Sequence, residues 1–261
     1  MNRSSFAIFK SVIFALTMRE VKTRFGSNKF GYIFALLEPI SQVLLFAIIF
    51  GVILERTLPN NVEYVPFLII SISYWLLFNN LVNNSTNAIN ANKALLIYSN
   101  VKPLDTIIAR IVIETTIFIL TFFILVFSFS ILDYNMKIDN ILLFLITSIE
   151  FLLFTISLGF LFSIIFNFSP TSGKIIKIIM KPLYFISAVL YPVSVIPEDY
   201  RELFLINPIA NLETLLRYSY FEGFDIQYGS HLYINTLSLI ILSISFFYYN
   251  LLHTKMINLD S

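Results

Sequence analysis

Cysteine is absent from the 261 residues, which removes disulfides, thiolate metal sites and a cysteine nucleophile together and leaves the redox compartment undecided. Charge is scarce: 13% of residues are Asp, Glu, Lys or Arg, against about a quarter in soluble domains. Glycine (7) and proline (9) are few, so no linker or low-complexity tract dilutes the chain, and no internal repeat is evident. A formal net charge of +1 supplies no basic face for a nucleic-acid duplex, so no nucleic-acid partner is expected. What is abundant is apolar: 57% hydrophobic residues, 28 of them Phe, with a mean hydropathy of +0.82. Water is not the solvent for most of this surface, and one membrane domain is the economical reading.

Catalytic and metal-binding motifs are also missing. Gly173-Lys174 is followed by Ile175, and Phe168 stands five residues upstream where a phosphate-binding loop needs glycine. His231 and His253 are not spaced as a metal pair, and no Asp-rich motif of a magnesium-dependent membrane transferase occurs. No catalytic residue, metal or cofactor is expected in this chain, and a membrane-embedded lipid-modifying enzyme is the alternative from another class.

A hydrocarbon core of roughly 30 Å needs about 20 apolar residues in a helix that satisfies its own backbone. Six stretches qualify: Ile33 to Leu54, Val65 to Val82, Ile107 to Leu132, Ile141 to Phe166, Ile175 to Leu190 and Leu232 to Leu252. The fifth carries Lys177, Lys181 and Pro182, so it spans only if its ammonium groups snorkel to the interface. Thirteen Lys and Arg fall on one side of these spans, and four (Arg56, Lys137, Arg201, Arg217) on the other. That bias predicts both termini in the cytoplasm. Residues 1–32 lack a short apolar core before a cleavage site, so no cleavable signal is expected. The predicted architecture is all-α: an amino-terminal segment 1–32, a six-helix transmembrane domain 33–252 and a cytoplasmic tail 253–261.

Three segments read as non-spanning. Phe6, Phe9, Val12, Ile13 and Leu16 recur at helical spacing ahead of Arg19, Lys22, Arg24 and Lys29, the pattern of an interfacial helix. The cations there either fix orientation or gather an anionic headgroup. The Asn-rich segment 83–105 holds an apolar knot at Ala94 to Tyr98, read as a short cytoplasmic helix that presents Leu95, Leu96 and Ile97 to a partner or lies on the headgroups. Segment 191–231 mixes Pro192, Pro197 and Pro208 with Leu203, Phe204, Leu205, Leu215 and Leu216, the composition of short helices dipping into the outer leaflet.

Isolated charges inside apolar helices cost about 2.5–3.5 kcal/mol each on insertion scales. Glu38 precedes Pro39 at the first span's entrance, which fits a structural role, and the i,i+4 spacing of Arg110 and Glu114 predicts a mutual pair. Glu150, without a partner in its own helix, is expected to face the bundle interior. Tyr74, Trp75, Tyr184 and Tyr191 offer apolar faces with polar handles, suited either to a channel wall or to an interfacial belt.

Arg19-Glu20-Val21-Lys22-Thr23-Arg24-Phe25-Gly26, with Gly31-Tyr32 and Leu37-Glu38-Pro39, resembles the opening of type-2 ABC exporter membrane subunits. Asn92-Lys93-Ala94-Leu95-Leu96-Ile97-Tyr98, Val101-Lys102-Pro103-Leu104-Asp105-Thr106 and Ala109-Arg110 resemble the matching segment of capsular-polysaccharide exporters of Gram-negative bacteria. Tyr191-Pro192-Val193-Ser194, Ile196-Pro197-Glu198 and Asn207-Pro208 are similar to the outer-leaflet segment of the wider family. The resemblance implies a multi-pass inner-membrane permease subunit, working as a homodimer that exports lipid-linked acidic polysaccharide. It also implies a separate ABC ATPase that binds ATP and Mg, with periplasmic co-polymerase and outer-membrane export proteins as further partners. It carries the ATPase-coupling role to Asn92 through Tyr98 and the interfacial-helix role to the stretch ending Phe25-Gly26. O-antigen, teichoic acid or a small drug are alternative cargoes.

Overall fold

The computed structural model describes residues 5–26, 29–54, 58, 62–224 and 229–257. These residues are predominantly helical, with no strands among them. Helix α1 (Ser5–Phe25) precedes α2 (Lys29–Phe46), which runs on as a π-helical stretch, Ala47–Ile53. There follow α3 (Tyr64–Thr86), the single turn α4 (Ala88–Ala91), α5 (Pro103–Ile131), α6 (Ile141–Phe168) and α7 (Pro170–Ile186). The chain closes with α8 (Glu198–Leu205), α9 (Pro208–Tyr220) and α10 (His231–Ile257). Of the expected tail, residues 258–261 lie outside the described residues, as do 225–228 of the outer segment.

Among the described residues five helices are long and apolar enough to cross a membrane: α2 with its π-helical continuation, α3, α5, α6 and α10. The expected fifth span is the exception. Helix α7 has 17 residues with Pro182 inside it, and its lysines hold its hydropathy down. Local signals set the boundaries: Pro103 opens α5, where Asp105 accepts from the Lys102 N–H at 2.8 Å, and Asn140 caps α6 by accepting from the Leu143 N–H at 3.0 Å.

Helix α3 is the axis of the bundle. Phe67, Leu68, Ile69, Ile70 and Leu81 are wholly buried, because α5 and α6 pack along it and α9 packs against its amino-terminal half. Gly159 of α6 sits where a Cβ would meet the Ser85 Cβ at 3.1 Å, so a small residue lets α6 approach α3 closely. Helix α10 packs on the far side of α6. Many hydroxyls inside the apolar helices are satisfied within their own helix: Thr147 donates to Leu143, Thr155 to Phe151, Ser157 to Leu153 and Ser238 to Ile234. In hydrocarbon that back-bonding removes the cost of a bare hydroxyl.

Segment 191–231 contains the short helices α8 and α9. Helix α9 is far more buried than a surface-dipping helix would be, since Leu212, Glu213, Leu215, Leu216, Arg217 and Tyr220 are all inaccessible.

Candidate functional site

A cavity of about 540 Å³ lies between α2, α3 and α7. Its α3 wall carries Asn79, Asn80 and Asn83, and its α2 wall Glu38 and Gln42. Lys177 and Lys181 enter from α7. Their four-residue spacing places both on one face of that helix, while Ile175, Ile178 and Ile179 are exposed on its other side. Both lysines are exposed and border this hollow. Trp75 and Tyr184 complete the wall, ring edge to ring face with centroids 5.2 Å apart.

Tyr74 departs from the expected channel wall. One residue along a helix turns the side chain by about 100°, and this ring points into an aromatic cluster of Phe118, Phe122, Phe144 and Phe151. Its hydroxyl meets Ser148 Oγ at 2.5 Å, so it is a core residue. Tyr191 lies beyond α7 in the turn that follows it, its hydroxyl donating to the Phe185 carbonyl at 2.6 Å.

The end of the bundle at α1 is held by charge. Arg110 pairs with Glu20 at 2.9 Å and donates to the Asn84 carbonyl at 2.7 Å, while Glu114 pairs with Arg24 and accepts from the Asn84 amide at 2.7 Å. The expected Arg110–Glu114 pair is thus replaced. Glu20 and Arg24 have the same i,i+4 spacing with the opposite order of charge, and α1 runs alongside α5 in the same sense, so each charge finds its complement across helices. Arg19 donates to Asn92 Oδ1 at 2.6 Å. Two members of the basic cluster, Arg19 and Arg24, are therefore engaged with this chain itself, while Lys22 is exposed. The side chain of Lys29 lies outside the described residues.

The segment read as a helix over Ala94 to Tyr98 is instead a succession of tight turns. A 3-10 turn spans Lys93–Leu95, and three-residue bonds follow from Leu96, Tyr98 and Val101 back to Lys93, Leu95 and Tyr98. Leu96 does not present itself outward: it is buried with Ile89, Ile107, Phe160, Ile164 and Met256. Ile97 and Tyr98 are the exposed pair, at 70% and 65%. Ala94 is exposed and Leu95 half-buried, and Leu95 borders an apolar groove of about 520 Å³ with Ile8, Val12, Leu16 and Val101.

Two further charge sites lie toward the other end. Glu150 is buried, as expected, and its partners come from α10: His231 Nδ1 at 2.6 Å and the Asn235 amide at 2.7 Å. Arg217, read from sequence as an outer-loop charge, is completely buried beside Glu213, 3.4 Å away. Burial pushes the Glu213 carboxyl upward, and the neighbouring guanidinium opposes that shift. The one sequence signal for this pair was its i,i+4 spacing between Leu212, Leu215 and Leu216.

Apolar helices of spanning length define a polytopic membrane protein, and three of its helices bring polar side chains to one hollow. The chain belongs to the ABC-2 type transporter family, whose model matches residues 11–221. Among curated proteins it is 34% identical to the polysialic acid transport protein KpsM of Escherichia coli over 86% of each chain. It is 28% identical to the capsule polysaccharide export inner-membrane protein CtrC of Neisseria meningitidis, over 91% of this chain and 89% of that one. The O-antigen export system permease protein RfbA of Klebsiella pneumoniae is 23% identical over 90% of each.

Proposed function

We propose that this chain is the membrane-spanning permease subunit of an ATP-driven exporter that moves lipid-linked capsular polysaccharide out of the cytoplasm. The observation that carries the reading is the cavity between α2, α3 and α7. Its amides, from Asn79, Asn80, Asn83 and Gln42, suit sugar hydroxyls, Lys177 and Lys181 suit acidic groups, and the Trp75–Tyr184 pair offers rings to the apolar faces of sugars. Two copies facing one another across this surface would enclose a conduit that neither builds alone.

In this reading α7 and the turn after it make the fifth of six crossings, with both termini in the cytoplasm of a Gram-negative cell. A separate ATPase binds ATP and Mg and docks on Ile97, Tyr98 and the apolar groove beside α1. The Glu20–Arg110 and Arg24–Glu114 pairs then carry its movement into α5. The exposed Lys22, with Lys29, offers cations to an anionic lipid terminus, each contributing about 1 kcal/mol. Periplasmic co-polymerase and outer-membrane export proteins complete the assembly.

The test is complementation of a strain that lacks its own capsule permease, with this chain coexpressed with its ATPase. Surface polysaccharide is expected in the presence of both chains and of an intact ATPase. Export of O-antigen but not capsule under the same conditions would move the cargo assignment to the relative from Klebsiella.

A further inference from the structure

Arg217 is the largest wholly buried side chain among the described residues, and apart from Glu213 its partners lie outside its own helix. Its Nε and Nη2 donate to Ser71 Oγ on α3 at 3.0 and 2.8 Å. Nη2 also reaches the carbonyls of Ala188 at 2.6 Å and Val189 at 3.3 Å, and Nη1 that of Tyr191 at 3.4 Å. The guanidinium lies 4.1 Å over the Phe67 ring of α3. One side chain of α9 thus fastens α3 to the backbone that turns away from the end of α7. That turn departs from helix at Ala188, whose φ is +57°, and so presents carbonyls with no helical partner. A fixed fork of donors serves several such acceptors at once, which a lysine cannot do.

The same turn is tied from two other sides. Tyr64 at the start of α3 donates to the Leu190 carbonyl at 2.5 Å, and Asn207 donates to the Ile186 carbonyl at 3.1 Å and to Ser187 Oγ at 2.9 Å. At the opposite end of α7, Gly173 abuts the Phe166 ring of α6 and the Ser172 hydroxyl donates only to Ser169 at the helix's own start. Among the described residues the hydrogen bonds that tie α7 and its turn to other elements are therefore gathered at the Ile186 end, and the cavity lies between α7 and α3.

We infer that Arg217 is a positioning residue that makes the outer end of α7 a fixed pivot on α3, so that the cavity widens from its inner end while its outer end stays closed. The export consequence rests on the function proposed above; the pivot itself does not.

The experiment uses the full chain with its ATPase in membranes, and spin labels on cysteines introduced in a chain that has none. One pair, Glu63→Cys with Val195→Cys, reports the outer end, and a second, Asn87→Cys with Lys174→Cys, the inner end. Removing Arg217 alone leaves Glu213 buried without its cation, so the informative variant is Glu213→Leu with Arg217→Met, because apolar replacement of a whole buried pair is commonly neutral for folding. We expect a single narrow outer distance in the parent chain and its loss in the double variant, with the inner distribution unchanged and surface polysaccharide lost. Glu213→Gln, which leaves the guanidinium its Ser71 and carbonyl acceptors, keeps the narrow outer distance, whereas Arg217→Lys broadens it. An unchanged outer distance in the double variant, equal broadening at both ends, or full export despite a broadened outer end overturns the inference. The distance result stands whatever the cargo, so failure of the export reading is read separately, from the parent chain's own export.

Discussion

Arg110 and Glu114 do not pair with each other: Glu20 and Arg24, one helical turn apart on α1, take one each. The half-amphipathic helix at the start of the chain is thereby registered on α5 at two points with opposite polarity. Sliding α1 by one turn would bring Arg24 against Arg110 and leave Glu114 alone. The ladder is thus selective for one register as well as adhesive.

Reversing one rung tests that register. Arg110→Glu is expected to lower stability by about 1–3 kcal/mol, less than the roughly 3–5 kcal/mol for breaking a wholly buried pair, because both partners are partly exposed. Adding Glu20→Arg should restore most of that loss. Thermal unfolding of the purified chain in detergent, read as a double-mutant cycle, is the measurement; no recovery in the double variant would mean the pair carries no coupling.

Leucine and isoleucine at neighbouring positions should separate folding from docking. Leu96→Ala removes a buried side chain and is expected to cost about 2–5 kcal/mol. Ile97→Asp with Tyr98→Asp should leave the unfolding temperature unchanged and abolish copurification with the ATPase. Retained copurification would shift the contact away from this segment.

Tyr74 and Trp75 are adjacent in sequence and differ in surroundings. Tyr74→Phe loses the bond to Ser148 and should cost about 0.5–1.5 kcal/mol without changing export. Trp75→Ala, Lys177→Gln and Lys181→Gln should each slow export while the chain inserts and assembles normally. Pulse labelling of surface polysaccharide, normalised to permease in the membrane, distinguishes the two groups.

The crossing proposed for α7 is open to direct labelling. Cysteine at Lys174 should react only from the cytoplasm and cysteine at Tyr200 only from outside, if α7 and its turn complete a sixth span. Labelling of both from the same side would leave five crossings.

Much of this was legible because the membrane enforces a simple rule. Runs such as Ile141 to Phe166 are long enough that little besides a spanning helix satisfies their backbone, and their ends fell within a few residues of α6. The Glu150 expectation succeeded for the same reason: a carboxylate in such a run must turn inward. What stayed hidden was pairing between distant segments. Arg110 had a plausible partner on its own helix, and nothing local announced Glu20. Arg217 looked like a loop cation because positive-side counting treats every connection as solvated. Tyr74 and Trp75 differ only in azimuth, which is set by where Phe118 and Phe151 lie, and those belong to other helices. Leu96 was misread for a related reason: an apolar knot shows that something must be covered but not whether the cover is the same chain.

The first span breaks the regular helical ladder twice, at Pro39, which withholds a donor, and along Ala47–Ile53, where the bonding skips to the fifth residue. At the second break Gly51 abuts Val65 so closely that any Cβ would fall 2.3 Å from the Val65 methyl group. This wall of the cavity is consequently a rod with a loosened joint in its middle and a seated foot at its end. Bending it at Pro39 would swing Glu38 and the preceding turn while Phe46 and Phe50 keep their ring contact, so the hollow's bore would change without unseating the foot on Val65.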